Sequence, residues 1–297
     1  MEIKILEDRI QNSYLGDKNI GSIVKKFIYS KVVEHNEKFE VREEYDLKYN
    51  KKHGEYKDYY NNGQLAMQYS YKDGKEDGEY KEWYDNGVLF IQSFYKDGKD
   101  DGEYKKWYIN GQLKIQFNYK DDKEEGEWRE WFDNGQLSLQ CFYKDGKEDG
   151  EWKQWNENGQ LIIQSKYKDG KLNGENKEWY DNGQLALQCF YKDGEAEGEW
   201  IEWYENGQLE LQCFYKDDKA EGEYKKWFDN SQLELQCFYK DDKEEGEWRE
   251  WFDNGQRWIE CFYKDGKYYG EYKEWSEEGV LITHRVYEKG EEVKRIL

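Results

Sequence analysis

The sequence predicts an all-β protein: an elongated, twisted, single antiparallel β-meander of ten 24-residue hairpin repeats with degenerate end caps. Three observations lead to this prediction. A Gly-Glu pair recurs every 24 residues without insertion or deletion. Each repeat contains two turn motifs, separated by short stretches rich in aromatic and β-branched residues, as is typical of paired strands. The chain contains no proline, so no segment is barred from a ladder of strand hydrogen bonds.

The repeats are numbered 1 to 10, and positions within a repeat are counted from its opening glycine as zero, from Gly54 to Gly270. The consensus is G-E-(Y/W)-K-E-W-(Y/F)-D-N-G-Q-L-x-(L/I)-Q-x-F-Y-K-D-G-K-x-x. Tyrosine occupies position +17 in all ten repeats, and tryptophan at +5 and leucine at +11 occur in nine each. Self-similarity at such a period is the sequence signature of a repeat architecture.

Two turns set the strand register. Asn-Gly at +8/+9 predicts a two-residue hairpin loop with φ > 0 at both residues, and Asp-Gly at +19/+20 predicts a second. In this register +6 lies opposite +11, +4 opposite +13 and +2 opposite +15, while +13 faces +2 of the next repeat. Ser231 replaces the first-turn glycine in one repeat and should weaken that turn by about 1 kcal/mol.

The alternation of side chains then assigns residues to two faces. Face one carries the aromatic residues at +2 and +6, Leu at +11, Leu or Ile at +13, Cys or Ser at +15 and Tyr at +17. This composition predicts that face one is the core face. Face two is mixed, with Glu at +1, Lys at +3, Trp at +5, Gln at +14 and often Phe at +16.

The segments outside the repeats are interpreted from their departures from the consensus. Residues 54–293 form the ten repeats, 27–53 a degenerate capping hairpin, 1–26 an N-terminal extension and 294–297 a C-terminal tail. The N-terminus has no apolar signal region and no long apolar run occurs, so a cytoplasmic location is expected. The net charge of −21 argues against nucleic acid and anionic membranes as partners, and favours a basic partner.

The repeat pattern GEYKEWYDNGQL…YKDGK resembles the MORN repeat, in the variant form of bacterial proteins labelled YwqK-family antitoxins. The resemblance covers residues 54–293. It implies an elongated antiparallel sheet with a curved cross-section. It also implies binding roles: scaffolding, membrane association in eukaryotic relatives and neutralisation of a toxin in bacterial ones. No phosphate-cradling glycine loop or kinase motif accompanies it, so a kinase is not expected.

The sequence offers no candidate for catalysis, metal binding or a cofactor. All five cysteines lie at +15, and equivalent positions in neighbouring repeats should be about 9–10 Å apart, beyond disulfide reach. We therefore expect free thiols that act as small core residues. His35, His53 and His284 share no spacing with the cysteines, so no metal site or nucleophile–base pair is expected. The chain is predicted not to be an enzyme.

The tryptophan row at +5 is the candidate protein-binding face, and its rings are expected to stack along the sheet. The sequence leaves two interpretations of this row open. It is either purely structural, or a surface that contacts a partner, because tryptophan dominates interface hot spots. The row consists of Trp83, Trp107, Trp131, Trp155, Trp179, Trp203, Trp227, Trp251 and Trp275.

These features favour a non-enzymatic protein-binding repeat scaffold, with an antitoxin or immunity protein that neutralises a toxin as its sharper form. The partner is then another protein, with a toxin and a basic protein as the candidates. Self-association is a further way to cover an open face. The alternatives are a membrane-associated MORN protein, a surface adhesin that binds carbohydrate, and a spacer.

Overall fold

The computed structural model describes the strands Lys4–Arg9, Tyr29–His35 and Val41–Lys48 and all residues from 51 to 297, with side chains from residue 43 onward in these ranges. Most of the predicted N-terminal extension therefore lies outside the described residues. Contacts divide the chain into two compact units, Met1–Gly146 and Lys147–Leu297. In the described ranges all regular structure is β-strand, and no helix there is long and apolar enough to span a membrane.

The N-terminal unit is an antiparallel meander of the following strands: β1 Lys4–Arg9, β2 Tyr29–His35, β3 Val41–Lys48, β4 Lys51–Tyr59, β5 Leu65–Lys72, β6 Lys75–Trp83, β7 Leu89–Lys96, β8 Lys99–Asp100, β9 Gly102–Trp107, β10 Leu113–Lys120, β11 Lys123–Trp131 and β12 Leu137–Lys144. Strand β1 pairs with β2, β2 with β3 and β3 with β4, so strands precede the first repeat in the same meander.

The C-terminal unit is likewise an antiparallel meander, with the strands β13 Lys147–Glu148, β14 Gly150–Trp155, β15 Leu161–Lys168, β16 Lys171–Leu172, β17 Gly174–Trp179, β18 Leu185–Lys192, β19 Glu195–Ala196, β20 Gly198–Trp203, β21 Leu209–Lys216, β22 Lys219–Ala220, β23 Gly222–Trp227, β24 Leu233–Lys240, β25 Lys243–Glu244, β26 Gly246–Trp251, β27 Arg257–Lys264, β28 Lys267–Tyr268, β29 Gly270–Trp275, β30 Leu281–Glu288 and β31 Glu291–Arg295. The predicted fold class, an all-β antiparallel meander of tandem hairpins, is confirmed.

Within each hairpin, the predicted pairings of +2 with +15 and of +4 with +13 are confirmed. In repeat 7, Trp200 at +2 lies opposite Cys213 at +15, and Glu202 at +4 opposite Leu211 at +13. The same pairs recur along both units. Residues opposite one another in an antiparallel pair project to the same face, so +2, +4, +13 and +15 share face one.

The predicted geometry of the first turn is wrong. In repeat 2, Tyr84 N–H donates to Val88 C=O at 2.8 Å, which encloses a three-residue loop. Only the loop glycine, Gly87, has a left-handed backbone, with φ 84°. The extra residue shifts the register, and Trp83 lies opposite Leu89. Leu at +11 therefore shares the face of Trp +5, not that of the aromatic residue at +6.

Asparagine at +8 acts through its side chain in this turn, not through a left-handed backbone. In repeat 7, Asn206 Oδ1 accepts the Gln208 N–H at 2.9 Å, and Asn206 Nδ2 donates to Asp229 C=O of repeat 8 at 3.0 Å. The first bond closes the turn, and the second ties it to the next repeat. The same pair of bonds recurs at Asn62, Asn110, Asn182, Asn230 and Asn254.

The second turn has the predicted left-handed pair: Asp73 has φ 52° and Gly74 φ 89°. Where aspartate replaces this glycine, at 122, 218 and 242, φ stays positive at 62–67°. The strain is offset by a new hydrogen bond, because the aspartate carboxylate accepts a backbone N–H of the preceding repeat. Asp122 accepts from Asp100 at 2.8 Å, and Asp242 from Ala220 at 2.6 Å.

Beyond the second turn, the predicted register is wrong by two residues. Tyr71 lies opposite Glu76, but Tyr69 lies opposite Tyr80, so +15 rather than +13 faces +2 of the next repeat. The opening glycine lies in this bulge: Gly102 has φ 128°, and a Cβ on it would lie 3.0 Å from Phe94 Cβ. Since an even shift preserves the side-chain alternation, this bulge moves no residue to the other face.

The core of each unit is a narrow row on face one. Position +15 is its centre: the five cysteines there are 0–1% exposed, and Ser93, Phe117 and Ser165 are buried too. The rings at +2 and +17 pack beside it, with Trp200 and Tyr215 at 5.4 Å and 64°. In repeat 6 the +2 residue is Asn176, and the Ser165 hydroxyl donates to its side-chain carbonyl.

The bond between neighbouring first turns predicts a position-specific effect of an Asn→Asp exchange. Asn206→Asp keeps the acceptor for Gln208 N–H but loses the donor to Asp229 C=O, so we expect about 1 kcal/mol of destabilisation. Urea unfolding measures it. Asn158→Asp is the matched control, because the Asn158 side chain makes no such bond and the charge added is the same. Equal losses in both variants would contradict this role for asparagine.

Ser231 predicts a gain in stability from a single substitution. Its φ of 67° is one that L-residues adopt at a cost, so Ser231→Gly should raise the free energy of unfolding by about 1 kcal/mol. The reverse exchange, Gly111→Ser, should lower it by a similar amount, since a Cβ at Gly111 meets no atom within 4 Å and only the backbone strain is tested. Thermal or urea unfolding of both variants checks the pair, and a stability loss in Ser231→Gly would contradict it.

Candidate protein-binding face

The tryptophans at +5 end the first strand of each hairpin on face two. All nine are half-buried. Each lies opposite the residue at +11, as Trp203 does opposite Leu209. In five of the nine, a tyrosine hydroxyl at +6 of the preceding repeat donates to the tryptophan C=O, as Tyr180 does to Trp203 at 2.7 Å and Tyr204 to Trp227 at 2.8 Å. The row is therefore placed with a regular spacing within each unit.

The expected stacking of these tryptophans is not found. Among the described residues, no aromatic ring packs against a +5 tryptophan in the way that the rings at +2 and +17 pack together. The reason is the spacing, since equivalent strands of neighbouring repeats lie about 9–10 Å apart. One of the rings has a charged neighbour: the Arg257 guanidinium lies 5.8 Å from the Trp275 ring centroid.

A polar ladder runs beside the tryptophans on face two. In repeat 8, Glu223 pairs with Lys225 at 2.8 Å and accepts the Gln236 side-chain N–H at 2.7 Å. The hydrogen bond from Lys225 is the main reason that the pKa of Glu223 lies below its usual range. The same arrangement lowers the pKa of Glu79 and Glu103 in the N-terminal unit. These carboxylates are engaged in regular ion pairs, which is the arrangement of a structural ladder and not of an acid–base pair.

A phenylalanine row lies on the far side of this ladder. In the C-terminal unit, Phe190, Phe214, Phe238 and Phe262 at +16 are 38–44% exposed, which is high for large apolar side chains. Phe214 lies opposite Glu199, four residues along the strand from Trp203, or about 13 Å. The two aromatic rows and the ladder between them are called the Trp/Phe face. The sequence placed Phe +16 on face two, but only the structure shows how far these rings are exposed.

The five thiols on face one are unsuited to chemistry. None is in a disulfide. Burial raises the pKa of Cys189 to about 11 and that of Cys213, Cys237 and Cys261 to about 12. Because the thiolate is the reactive form, these groups are poor nucleophiles at neutral pH. Within the described ranges, no group of three or more His, Cys, Asp and Glu residues is placed to hold a metal ion.

This burial predicts that the thiols react slowly in the folded chain. At pH 8 each buried cysteine should be alkylated by iodoacetamide at least about a hundredfold more slowly than in urea, since it is protonated and inaccessible. Mass spectrometry resolves the sites. Asn118→Cys supplies the control, because position 118 is exposed and should be alkylated rapidly in the same folded protein. Rapid labelling of a +15 cysteine in the folded chain would contradict the assignment.

Comparison with solved structures adds little. Crystal structures titled TcdB2-TccC3-Cdc42, TcdB2-TccC3 and TcdB2-TccC3 without the hypervariable C-terminal region match 88% of this chain at 10–11% identity, with TM-scores of 0.20–0.21. The chain spans 17–18% of the length of those chains. These scores are too low to bear on fold or function. No curated protein matches the chain.

The family comparison is informative. The family model of the MORN repeat variant matches nine tandem segments, each in step with the repeat: residues 52–73, 76–97, 100–121, 124–145, 148–169, 172–193, 196–217, 220–241 and 244–265. Each segment begins two residues before an opening glycine and ends in the second turn, so it contains one hairpin of the structure. The matched segments cover about two-thirds of the chain, which therefore belongs to the MORN repeat variant family.

Proposed function

We propose that this chain is a non-enzymatic protein-binding scaffold whose partner docks on the Trp/Phe face. The observation that carries the proposal is the exposed phenylalanine row at +16. Aromatic side chains are enriched in the cores of protein interfaces, whereas an apolar row of this kind gains nothing from contact with water. Membership of a family built from tandem MORN repeats supports a scaffold role.

The two faces of the sheet differ in how they are covered. On face one, the rings at +2 and +17 pack over the buried row at +15, as Trp248 and Tyr263 do at 5.3 Å. On face two, Phe214 and Phe238 remain 44% and 39% exposed. The Glu–Lys–Gln ladder and the half-buried tryptophans border these rings. They would form the rim of an interface whose apolar centre is the phenylalanine row. Face two is therefore the face that a partner protein would complete.

The sharper form of the proposal is an antitoxin or immunity protein that neutralises a toxin. What supports it is the net charge of −21, which would steer a basic protein toward the scaffold. The same charge disfavours association with an anionic membrane, the main alternative role. A cytoplasmic location belongs with this proposal, since a toxin made in the same cell would be met there.

An affinity capture with two matched variants tests the scaffold role. The tagged full chain is incubated with a lysate of its own source, and bound proteins are quantified by mass spectrometry. Phe214→Ser/Phe238→Ser should lose a stoichiometric partner by tenfold or more, because hot-spot aromatic residues each contribute about 1–2 kcal/mol. Serine is native at +16 in repeat 1 (Ser70), so the fold should tolerate the exchange.

The control variant removes exposed apolar groups elsewhere. Val280→Ser/Ile282→Ser alters residues that are 61% and 52% exposed, away from the +5 and +16 rows, and should keep the partner. A partner retained by the phenylalanine variant would move the contact off the Trp/Phe face. The absence of any stoichiometric partner would count against the scaffold role itself. Rescue of growth when the chain is co-expressed with its partner would identify an antitoxin.

A further inference from the structure

A groove in the C-terminal unit departs from the repeat pattern. It lies at the first-turn edge of repeats 8 to 10 and has a volume of about 520 Å³. Four aromatic residues and five acidic residues line it, among others: Phe228, Trp251, Phe252 and Trp258, and Asp229, Glu234, Glu250, Asp253 and Glu277. This combination of rings and carboxylates is the chemistry that recognises an organic cation.

The centre of the groove is an aromatic pair. The Phe252 ring at +6 and the Trp258 ring at +12 lie 5.5 Å apart with an interplanar angle of 31°, and Trp258 is 39% exposed. Tryptophan occurs at +12 in repeat 9 alone; elsewhere the position holds residues such as Ala66 or Ala186. Trp258 also follows Arg257, the single exception to leucine at +11.

Repeat 2 shows what the same arrangement does inside the protein. There the +6 and +12 rings are Tyr84 and Phe90, 4.7 Å apart. Lys106, at +4 of repeat 3, places its ammonium 4.9 Å from the Phe90 ring centroid. The pair of rings in the N-terminal unit is thus covered by a cation of the chain itself, in a geometry that favours a cation–π interaction.

In repeat 9 the corresponding cation is replaced by an acid. Lys106 lies opposite Ile91, the residue after Phe90, and Glu274 lies opposite Ile259, the residue after Trp258. No Lys or Arg of the described chain covers the Trp258 ring. The groove therefore repeats the aromatic half of the cation–π arrangement without its cationic half.

Three of the five carboxylates that line the groove also lack a cationic partner within residues 51–297. Asp229, Asp253 and Glu277 occupy +7 of three consecutive repeats, are exposed, and form no ion pair within residues 51–297. The other two carboxylates have partners: Glu234 pairs with Lys226 at 3.1 Å, and Glu250 accepts the Trp248 indole N–H at 2.6 Å. The groove thus has three carboxylates to offer to a positive charge from outside.

We propose that this groove binds an arginine or lysine side chain presented by an extended segment of a protein partner. The cation lies against Trp258, in the place that Lys106 takes at Phe90, and its N–H groups are accepted by the +7 carboxylates. The groove adjoins the Trp/Phe face at Trp251, but none of the +16 phenylalanines lines it. The proposal goes beyond the scaffold function and has its own test.

The test uses short fluorescein-labelled Gly/Ser peptides that carry spaced arginine, lysine or citrulline, titrated with the full chain at low ionic strength. The arginine and lysine peptides should bind and the neutral citrulline peptide should not. Trp258→Ala should weaken binding about three- to tenfold at unchanged net charge. Alanine is native at +12 in repeats 1 and 6, so the variant is expected to fold.

A second pair of variants separates the groove from the general acidity of the chain. Glu274→Lys installs the internal cation of repeat 3 and should weaken binding more than Trp258→Ala does. Glu195→Lys makes the same change of charge at an exposed position of β19 where lysine is the consensus residue, and should weaken binding less. Unchanged affinity in Trp258→Ala, or equal effects of the two lysine variants, would overturn the proposal.

The variants also separate this proposal from the scaffold function. Phe214→Ser/Phe238→Ser leaves the groove intact and should bind the peptides as the parent chain does. Loss of peptide binding in that variant would place the cation site on the +16 phenylalanine row and overturn the assignment to the groove. Tighter binding of either the arginine or the lysine peptide supports the proposal and names the side chain, since a guanidinium stacks on rings and pairs with carboxylates in a way that an ammonium does not.

Discussion

The structure of each unit depends on one narrow buried row, the residues at +15 and the rings at +2 and +17 that pack beside them. No second layer of regular structure covers the sheet in the described ranges, so the apolar surface that drives folding has to be buried between side chains of the same face. Cysteine and serine suit the centre of the row because they are small. The large rings on either side then close over them, as Tyr224 and Tyr239 do beside Cys237.

The buried row forms only in the register that places +15 opposite +2 of its own repeat on one side and opposite +2 of the next repeat on the other. A slip of one residue would turn every +15 side chain to the other face. The bulge at the opening glycine shifts the register by two, which leaves the faces unchanged. Glycine is favoured there because the backbone is left-handed, and at Gly78, Gly102 and Gly174 a Cβ would also lie 3.0–3.4 Å from the +16 side chain of the preceding repeat. The turns supply the rest: the Asn +8 side chain and the Tyr +6 hydroxyl each bond to the next repeat.

The repetition makes departures from it informative. A residue that recurs at the same position in most repeats is explained by the stability of the sheet. A residue that occurs in one repeat only needs another explanation. Trp258 is of the second kind, and it lies where three carboxylates lack a cation. Phenylalanine at +16 recurs in six of the ten repeats, yet its four rings in the C-terminal unit remain 38–44% exposed. The groove is a candidate site because Trp258 occurs at +12 in one repeat only. The Trp/Phe face is a candidate because its apolar rings are exposed to water.

The sequence by itself determined the fold class, the hairpin repeat, the middle of the strand register and the buried position of the cysteines, because turn chemistry and the two-residue alternation of strands are local properties. It could not determine the three-residue first turn, because Asn-Gly is also the signal of a two-residue loop. It could not determine the two-residue bulge, because that depends on pairing with the neighbouring repeat. The loop length also decides the face of Leu +11, which was predicted wrongly. The candidate tryptophan row was named from the sequence. The exposure of Phe214 beside it, and the meeting of Trp258 with Asp229 and Glu277 in one groove, were decided only by the tertiary structure, which sets side by side residues that lie a repeat or more apart in the chain.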